Sequence, residues 1–260
     1  MAELLIKGVR MEYTDEGVGL PVVLVHGFPL DRRMWDAAVA ALRDRYRVIA
    51  PDLRGFGGSR CDEPFSMESL ADDVHELLGR IDALPCALGG LSMGGYVVYA
   101  YASRYPGDLK ALLFVDTKCE ADTAEARQNR MKMIDTVRSG GPRAVAEQMM
   151  PKLVSPAADG QVVARVRQMI EACPARTMEL ALLAMRDRAD HRNALAAVRV
   201  PSCFIAGEAD ALVPHPLAQA QAAGVREPWI AVIPGAGHMA PMEQPEHVSA
   251  ALGAFLGQLR

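Results

Sequence analysis

The 260-residue chain reads as an α/β protein, one largely parallel sheet covered by helices on both faces, with a block of helices inserted between two of its strands. Two observations carry that reading. Short apolar runs alternate with segments whose apolar residues recur at helical spacing. That rhythm breaks after Asp116, where several helical patterns follow one another with no strand among them.

Residues 4–6 and 9–13 open the chain as an antiparallel pair. Further strands are expected at 22–25, 47–50, 86–88, 109–115, 202–206 and 229–233. Helices are expected near 31–43, 66–83, 94–104, 215–223 and 245–259, with Asp31 and Ser66 as N-caps. In the inserted block, Met131, Ile134 and Val137 mark one helix. Pro142 starts a second, with Val145, Met149 and Leu153 at steps of four. Val162, Val166, Met169 and Ile170 mark a third, and Leu180, Leu183 and Ala184 a fourth. Helices without strands cannot extend a sheet, so this block is expected to lie over its carboxyl edge, where ligands of open α/β sheets bind. The chain thus divides into a core of residues 1–117 and 191–260 and a helical cap of 118–190. The cap holds Met131, Met133, Met149, Met150, Met169, Met178 and Met185. Most are expected to pack between helices, and a few to line an adaptable apolar pocket.

Composition narrows the function. Half of the residues are hydrophobic and mean hydropathy is +0.06, which suits one well-filled core. The formal charge of −4, with no basic stripe, argues against nucleic acid as a partner. No apolar stretch approaches the ~20 residues of a membrane helix. The N-terminus reads as a strand rather than a secretory signal, and the five cysteines are odd in number and scattered. A cytoplasmic enzyme without disulfide framework or metal site is expected.

Ser92 sits within Gly90-Leu91-Ser92-Met93-Gly94, after the apolar run Pro85-Cys86-Ala87-Leu88 and before Tyr96-Val97-Val98-Tyr99. A serine on a sharp strand-to-helix turn takes strained backbone angles. Small residues two before and two after let strand and helix close around it. Its hydroxyl is a poor nucleophile until a base takes the proton, and the base needs an orienting acid. Among six histidines, His238 lies on the glycine-rich loop Pro234-Gly235-Ala236-Gly237 after a buried strand and is the candidate base. His75 and His247 read as solvated helix residues, and His191 and His215 as loop or helix-start residues. Asp210 and Asp116 both end strands and both are candidate acids. The chain order Ser92, Asp210, His238 favours Asp210, and Glu208 reads as a turn carboxylate facing water. An oxyanion needs backbone donors. Met93 supplies one N–H and Phe28, in the loop His26-Gly27-Phe28-Pro29, the other. His26 then reads as a structural residue behind that loop. Arg54 is expected to pin its loop through backbone carbonyls, and Trp35 to pack in the core.

Together, His26-Gly27-Phe28-Pro29, Asp52-Leu53-Arg54-Gly55-Phe56-Gly57-Gly58-Ser59, Gly90-Leu91-Ser92-Met93-Gly94-Gly95, Gly207-Glu208-Ala209-Asp210 and Gly237-His238 resemble the α/β-hydrolase family. The resemblance is to its capped esterase, enol-lactonase and cofactor-free perhydrolase branch. It implies an α/β-hydrolase fold, a mostly parallel eight-stranded sheet with an inserted helical cap. It also implies Ser92 as nucleophile, Asp210 as acid, His238 as base, and Phe28 and Met93 as oxyanion donors. A small ester or lactone would be the substrate, and no cofactor would be needed. Serine at 92, where haloalkane dehalogenases and epoxide hydrolases of this fold carry aspartate, argues against those reactions. Ester hydrolysis leads. Enol-lactone opening, carbon–carbon cleavage and peracid formation run on the same residues, and a hydrolase-fold ligand receptor is the non-enzymatic alternative. Oligomeric state and the natural acyl and alcohol groups are not legible.

Overall fold

Lys7 and Gly8, both at positive φ, join strands β1 (Ala2–Ile6) and β2 (Val9–Glu16) in a tight hairpin, the turn geometry that matches strand twist. The computed structural model describes residues 2–226 and 228–259; the chain ends Met1 and Arg260, which bound the expected core, lie outside them. Next come β3 (Pro21–Val25), a 3-10 turn at Arg32–Trp35, α1 (Asp36–Leu42) and β4 (Arg47–Pro51). Then α2 (Met67–Arg80), β5 (Cys86–Leu91), α3 (Met93–Arg104) and β6 (Leu109–Val115) complete the first part of the chain. The insertion follows as α4 (Ala124–Leu153), α5 (Gly160–Ala172) and α6 (Ala175–Asp187), with the short α7 (Arg192–Ala197) behind it. The chain closes with β7 (Ser202–Gly207), α8 (His215–Ala222), β8 (Pro228–Ile233), α9 (Ala240–Glu243) and α10 (Pro245–Leu256).

The eight strands form one sheet in the order β1-β2-β4-β3-β5-β6-β7-β8. β2 runs antiparallel to both β1 and β4, and every pair from β4 onward is parallel. β5 and β7 are buried at every residue, as strands covered by helices on both faces must be. The edge strand β8 alternates more and less exposed positions, leaving Ile230 and Val232 partly in solvent. The order reverses at β3, which pairs with β4 on one side and β5 on the other. The carboxyl ends of β3 and β5 therefore meet at the switch point where such sheets bind ligands. His26-Gly27-Phe28 and Ser92 lie there.

Local signals act as their chemistry dictates. Ser66 caps α2 with a reciprocal bond to Ser69, and Asp31 caps the 3-10 turn through the Arg33 amide. The first expected helix is shorter than its pattern because Asp52 takes the Arg32 amide (2.8 Å) and the Arg32 guanidinium, tying the first turn to the loop after β4. In α4, Gly141 (φ 66°, ψ −168°) breaks the run ahead of Pro142, so two helices meet at a kink there. Arg54 does not reach backbone carbonyls. Its guanidinium grips Asp73 of α2 with two bonds of 2.7 and 2.8 Å, because a buried carboxylate is the stronger partner. Trp35 is fully buried, and all five cysteines are free thiols, with Cys86 and Cys203 inside β5 and β7. No described helix is long and apolar enough to cross a membrane.

Candidate active site

Ser92 joins β5 to α3 with φ 52° and ψ −111°, a conformation that costs about 1–3 kcal/mol and persists only where surroundings enforce it. They do. The Ser92 amide donates to the Val115 carbonyl (3.0 Å), and its own carbonyl accepts from the Thr117 hydroxyl (2.7 Å) and the Tyr96 amide (3.2 Å). Gln221, which sequence reasoning passed over, donates to the Thr117 carbonyl (2.9 Å) and accepts from Tyr99 (2.7 Å), extending the support into the core. The flanking glycines are steric necessities. A Cβ on Gly90 would lie 2.8 Å from the Gly95 nitrogen, and one on Gly94 2.7 Å from the His26 carbonyl oxygen.

The loop after β3 lies directly on this turn: a Cβ on Gly27 would come 3.2 Å from the Leu91 oxygen and 3.6 Å from the Ser92 Cβ. His26, fully buried, binds this loop to the one after β4. Leu53 N–H donates to its Nε2 (3.0 Å), so the ring proton sits on Nδ1 and donates to the Gly27 carbonyl (3.0 Å). Burial lowers its pKa, keeping the ring neutral. His26 is thus structural. Met93 opens α3, so its N–H has no acceptor within the helix.

His238 is 2 % exposed on the loop after β8, and its Nδ1 lies 2.7 Å from Asp210 Oδ2. Asp210 follows β7, and its Oδ1 accepts from the Leu212 (2.7 Å) and Val213 (3.0 Å) amides. Burial alone would raise this carboxyl. The hydrogen bond and charge of His238, with the two amides, outweigh it and hold the pKa below the ordinary carboxylate value. Glu208 does not simply face water: it accepts the Gly235 amide (2.9 Å) and anchors the histidine loop. Glu243, not singled out from the sequence, accepts the Gly237 amide (3.0 Å) and the Ser155 amide (2.8 Å), linking that loop to the insertion.

Asp116, the rival acid, is engaged by a different partner. It ends β6 at φ 44° and its Oδ1 accepts the Gly207 amide (2.7 Å) rather than facing His238. Its buried Oδ2 receives no donor, and the group it meets is the Asp210 carboxyl. Burial, then that like charge, push its pKa well above the ordinary 3.8. Both effects bias Asp116 towards its neutral form.

Phe28, Ser92 and His238 line one cavity of about 370 Å³, and none of the other five histidines does. Met133, Met149 and Met185 contribute to its wall; Met150, Met169 and Met178 are buried in packing, and Met131 is exposed. Lys118, Asp122, Arg130 and Lys152 add charge to the lining. Asp122 is held by Arg188 (2.6 Å) and Arg130 (3.0 Å), and the Arg188 guanidinium lies over the Tyr96 ring at 4.1 Å. Among the described residues, no group of three or more His, Cys, Asp or Glu side chains could hold a metal ion.

Comparison with known proteins agrees with this architecture. Residues 22–252 match the model of the Alpha/beta hydrolase family. A thermophilic esterase from Thermogutta terrifontis, solved with malate bound, superposes with a TM-score of 0.95 at 38% identity, covering 99% of this chain and 98% of that one. The enol-lactonase from Burkholderia xenovorans LB400 shares the fold at a TM-score of 0.91 and 23% identity, covering 99% and 100%. Among curated sequences, the AB hydrolase superfamily protein YisY of Bacillus subtilis (strain 168) is 29% identical over 265 residues, 95% of each chain. The chain belongs to the alpha/beta hydrolase family.

Proposed function

We propose that the protein is a serine hydrolase cleaving a small carboxylic ester through Ser92, His238 and Asp210, with an acyl-enzyme intermediate. The observation that carries this reading is the buried 2.7 Å contact between His238 and Asp210 on the cavity that Ser92 also lines. With Nδ1 engaged by Asp210, Nε2 is the ring atom left for the serine proton.

Ser92 Oγ attacks the ester carbonyl while His238 takes its proton. The oxyanion is received by the Phe28 and Met93 amides, and losing one such donor costs about 10²–10³ in rate. His238 returns the proton to the leaving alcohol. Water, deprotonated by the same ring, then attacks the acyl-serine, and collapse frees the acid and Ser92. The proton count closes on His238 and water. Asp210 holds the ring in the required tautomer and balances the imidazolium.

The insertion, residues 118–190, serves as the cap over a core of residues 1–117 and 191–260. It supplies the methionines of the cavity wall, and Thr177 of α6 bonds the Gly55 carbonyl (2.9 Å) to hold it down. A cavity of about 370 Å³ is near the small end of ligand sites, which favours short acyl chains. Likeness to the Thermogutta esterase at 38% identity supports ester chemistry. The test is steady-state hydrolysis of 4-nitrophenyl esters from acetate to laurate, with Ser92→Ala alongside. Turnover that peaks at short chains and disappears in the variant is expected; turnover undiminished by Ser92→Ala would overturn the reading.

A further inference from the structure

The cavity carries a charge that ester hydrolysis alone does not call for. The chain as a whole has a formal net charge of −4, yet three cations, Lys118, Arg130 and Lys152, share the cavity lining with one carboxylate, Asp122. That carboxylate is already spent: Arg188 takes Oδ1 at 2.6 Å and Arg130 takes Oδ2 at 3.0 Å. Neither Lys118 nor Lys152 has a carboxylate partner among the described residues.

Both lysines line the same cavity as Ser92 and His238. Lys118 follows Thr117, whose hydroxyl holds the Ser92 carbonyl at 2.7 Å. Lys152 precedes Leu153, whose carbonyl accepts the Met239 amide at 3.0 Å. Met133, Met149, Leu182 and Met185 supply apolar wall on the same cavity. Such a site suits a ligand with an apolar middle and an anionic end.

Resting on the ester-hydrolase reading above, we propose that the substrate is an ester carrying a carboxylate remote from the scissile bond, received by Lys118 and Lys152. Water adds across the ester C–O bond; the products are an alcohol, a new carboxylate and one released proton, with the remote carboxylate unchanged. The carboxylate can sit on the acyl or the alcohol part, and the assay separates the two.

The experiment compares kcat/KM for 4-nitrophenyl hydrogen adipate with 4-nitrophenyl methyl adipate, and for 4-carboxyphenyl acetate with 4-(methoxycarbonyl)phenyl acetate. At low salt, one anionic ester is expected to exceed its neutral partner about tenfold, the combined effect of two partly solvated ion pairs. Half-molar salt lowers the ratio, because such pairs are screened. Lys118→Gln and Lys152→Gln each reduce it, and the double variant brings it close to one. Each ratio is internal to its own protein, so loss of folded material does not mimic the effect. Cleavage of the neutral esters with no anionic preference in the wild type, or a preference that survives in the double variant, overturns this inference alone. Cleavage of none of the four esters overturns the ester-hydrolase reading and this inference with it.

Discussion

Gly94→Ala perturbs the site without touching a reacting group. The added methyl would meet the Val25 carbonyl oxygen, the His26 oxygen at 2.7 Å and the Val25 carbonyl carbon at 2.8 Å, all of them backbone. Ordinary carbon contacts begin near about 3.5 Å, so the shortfall approaches about 1 Å. β3 cannot yield, since its residues pair with β4 on one side and β5 on the other, Val25 itself opposite Gly90. The start of α3 must move instead, taking Ser92 and the Met93 amide away from the Phe28 loop. Overpacking of this kind costs about 1–3 kcal/mol of stability. Misplacement of reacting groups by about 1 Å costs about 10²-fold in rate. Urea unfolding and kcat on a short 4-nitrophenyl ester measure the two effects separately. A Gly94→Ala protein with wild-type kcat, whatever its stability, would refute the claim that this contact sets the geometry of Ser92.

Gly79, on the exposed face of α2 with nothing within 4 Å of where a Cβ would stand, gives the opposite case: Gly79→Ala should stabilise by about 0.5–1 kcal/mol in the same unfolding assay. Asp210→Asn should cut kcat by about 10³–10⁴-fold, and Asp116 should not substitute for it because its Oδ1 is committed to the Gly207 amide; retention of more than about a tenth of the activity would show that it does. Asp116→Asn should leave the acid limb of the kcat/KM profile in place, since it removes no charge; a limb lowered by about a unit or more would mean Asp116 is ionised. The same variant tests linkage. Above about pH 4 the unfolded state releases the Asp116 proton while the raised folded pKa delays its release, so this group's contribution to stability declines as pH rises towards the folded pKa. Asn carries no such penalty, and its stability relative to the wild type in urea should grow as pH rises above about 4.

Features set by local backbone demands were legible in the chain. Gly90 and Gly94 announce the turn at Ser92 because a Cβ at either position collides with backbone, and Gly27 announces the loop pressed against it. His238 and Asp210 were legible because each follows an apolar strand in a characteristic order. Chain order favoured Asp210 over Asp116, but what Asp116 does instead was visible only in three dimensions, where it meets a neighbouring amide and a second carboxyl. The polar supports were missed or misread for the same reason. Asp122 and Arg188 meet across 66 positions of irregularly patterned chain, and Glu243 finds the Gly237 and Ser155 amides from a helix of four residues. Arg54 was placed on its loop, but its partner Asp73 sits on the buried face of α2, which an amphipathic pattern assigns to apolar residues. The kink at Gly141 was visible through Pro142, a residue that starts helices.

Covalent trapping decides whether Ser92 is the nucleophile. The protein would be incubated with a 4-nitrophenyl alkylphosphonate, and the adduct counted by intact mass and located by peptide mapping. One phosphonyl group per chain is expected, on Ser92, with labelling lost in Ser92→Ala and slowed in His238→Ala. No adduct, or one on another residue with Ser92 unmodified, would contradict it.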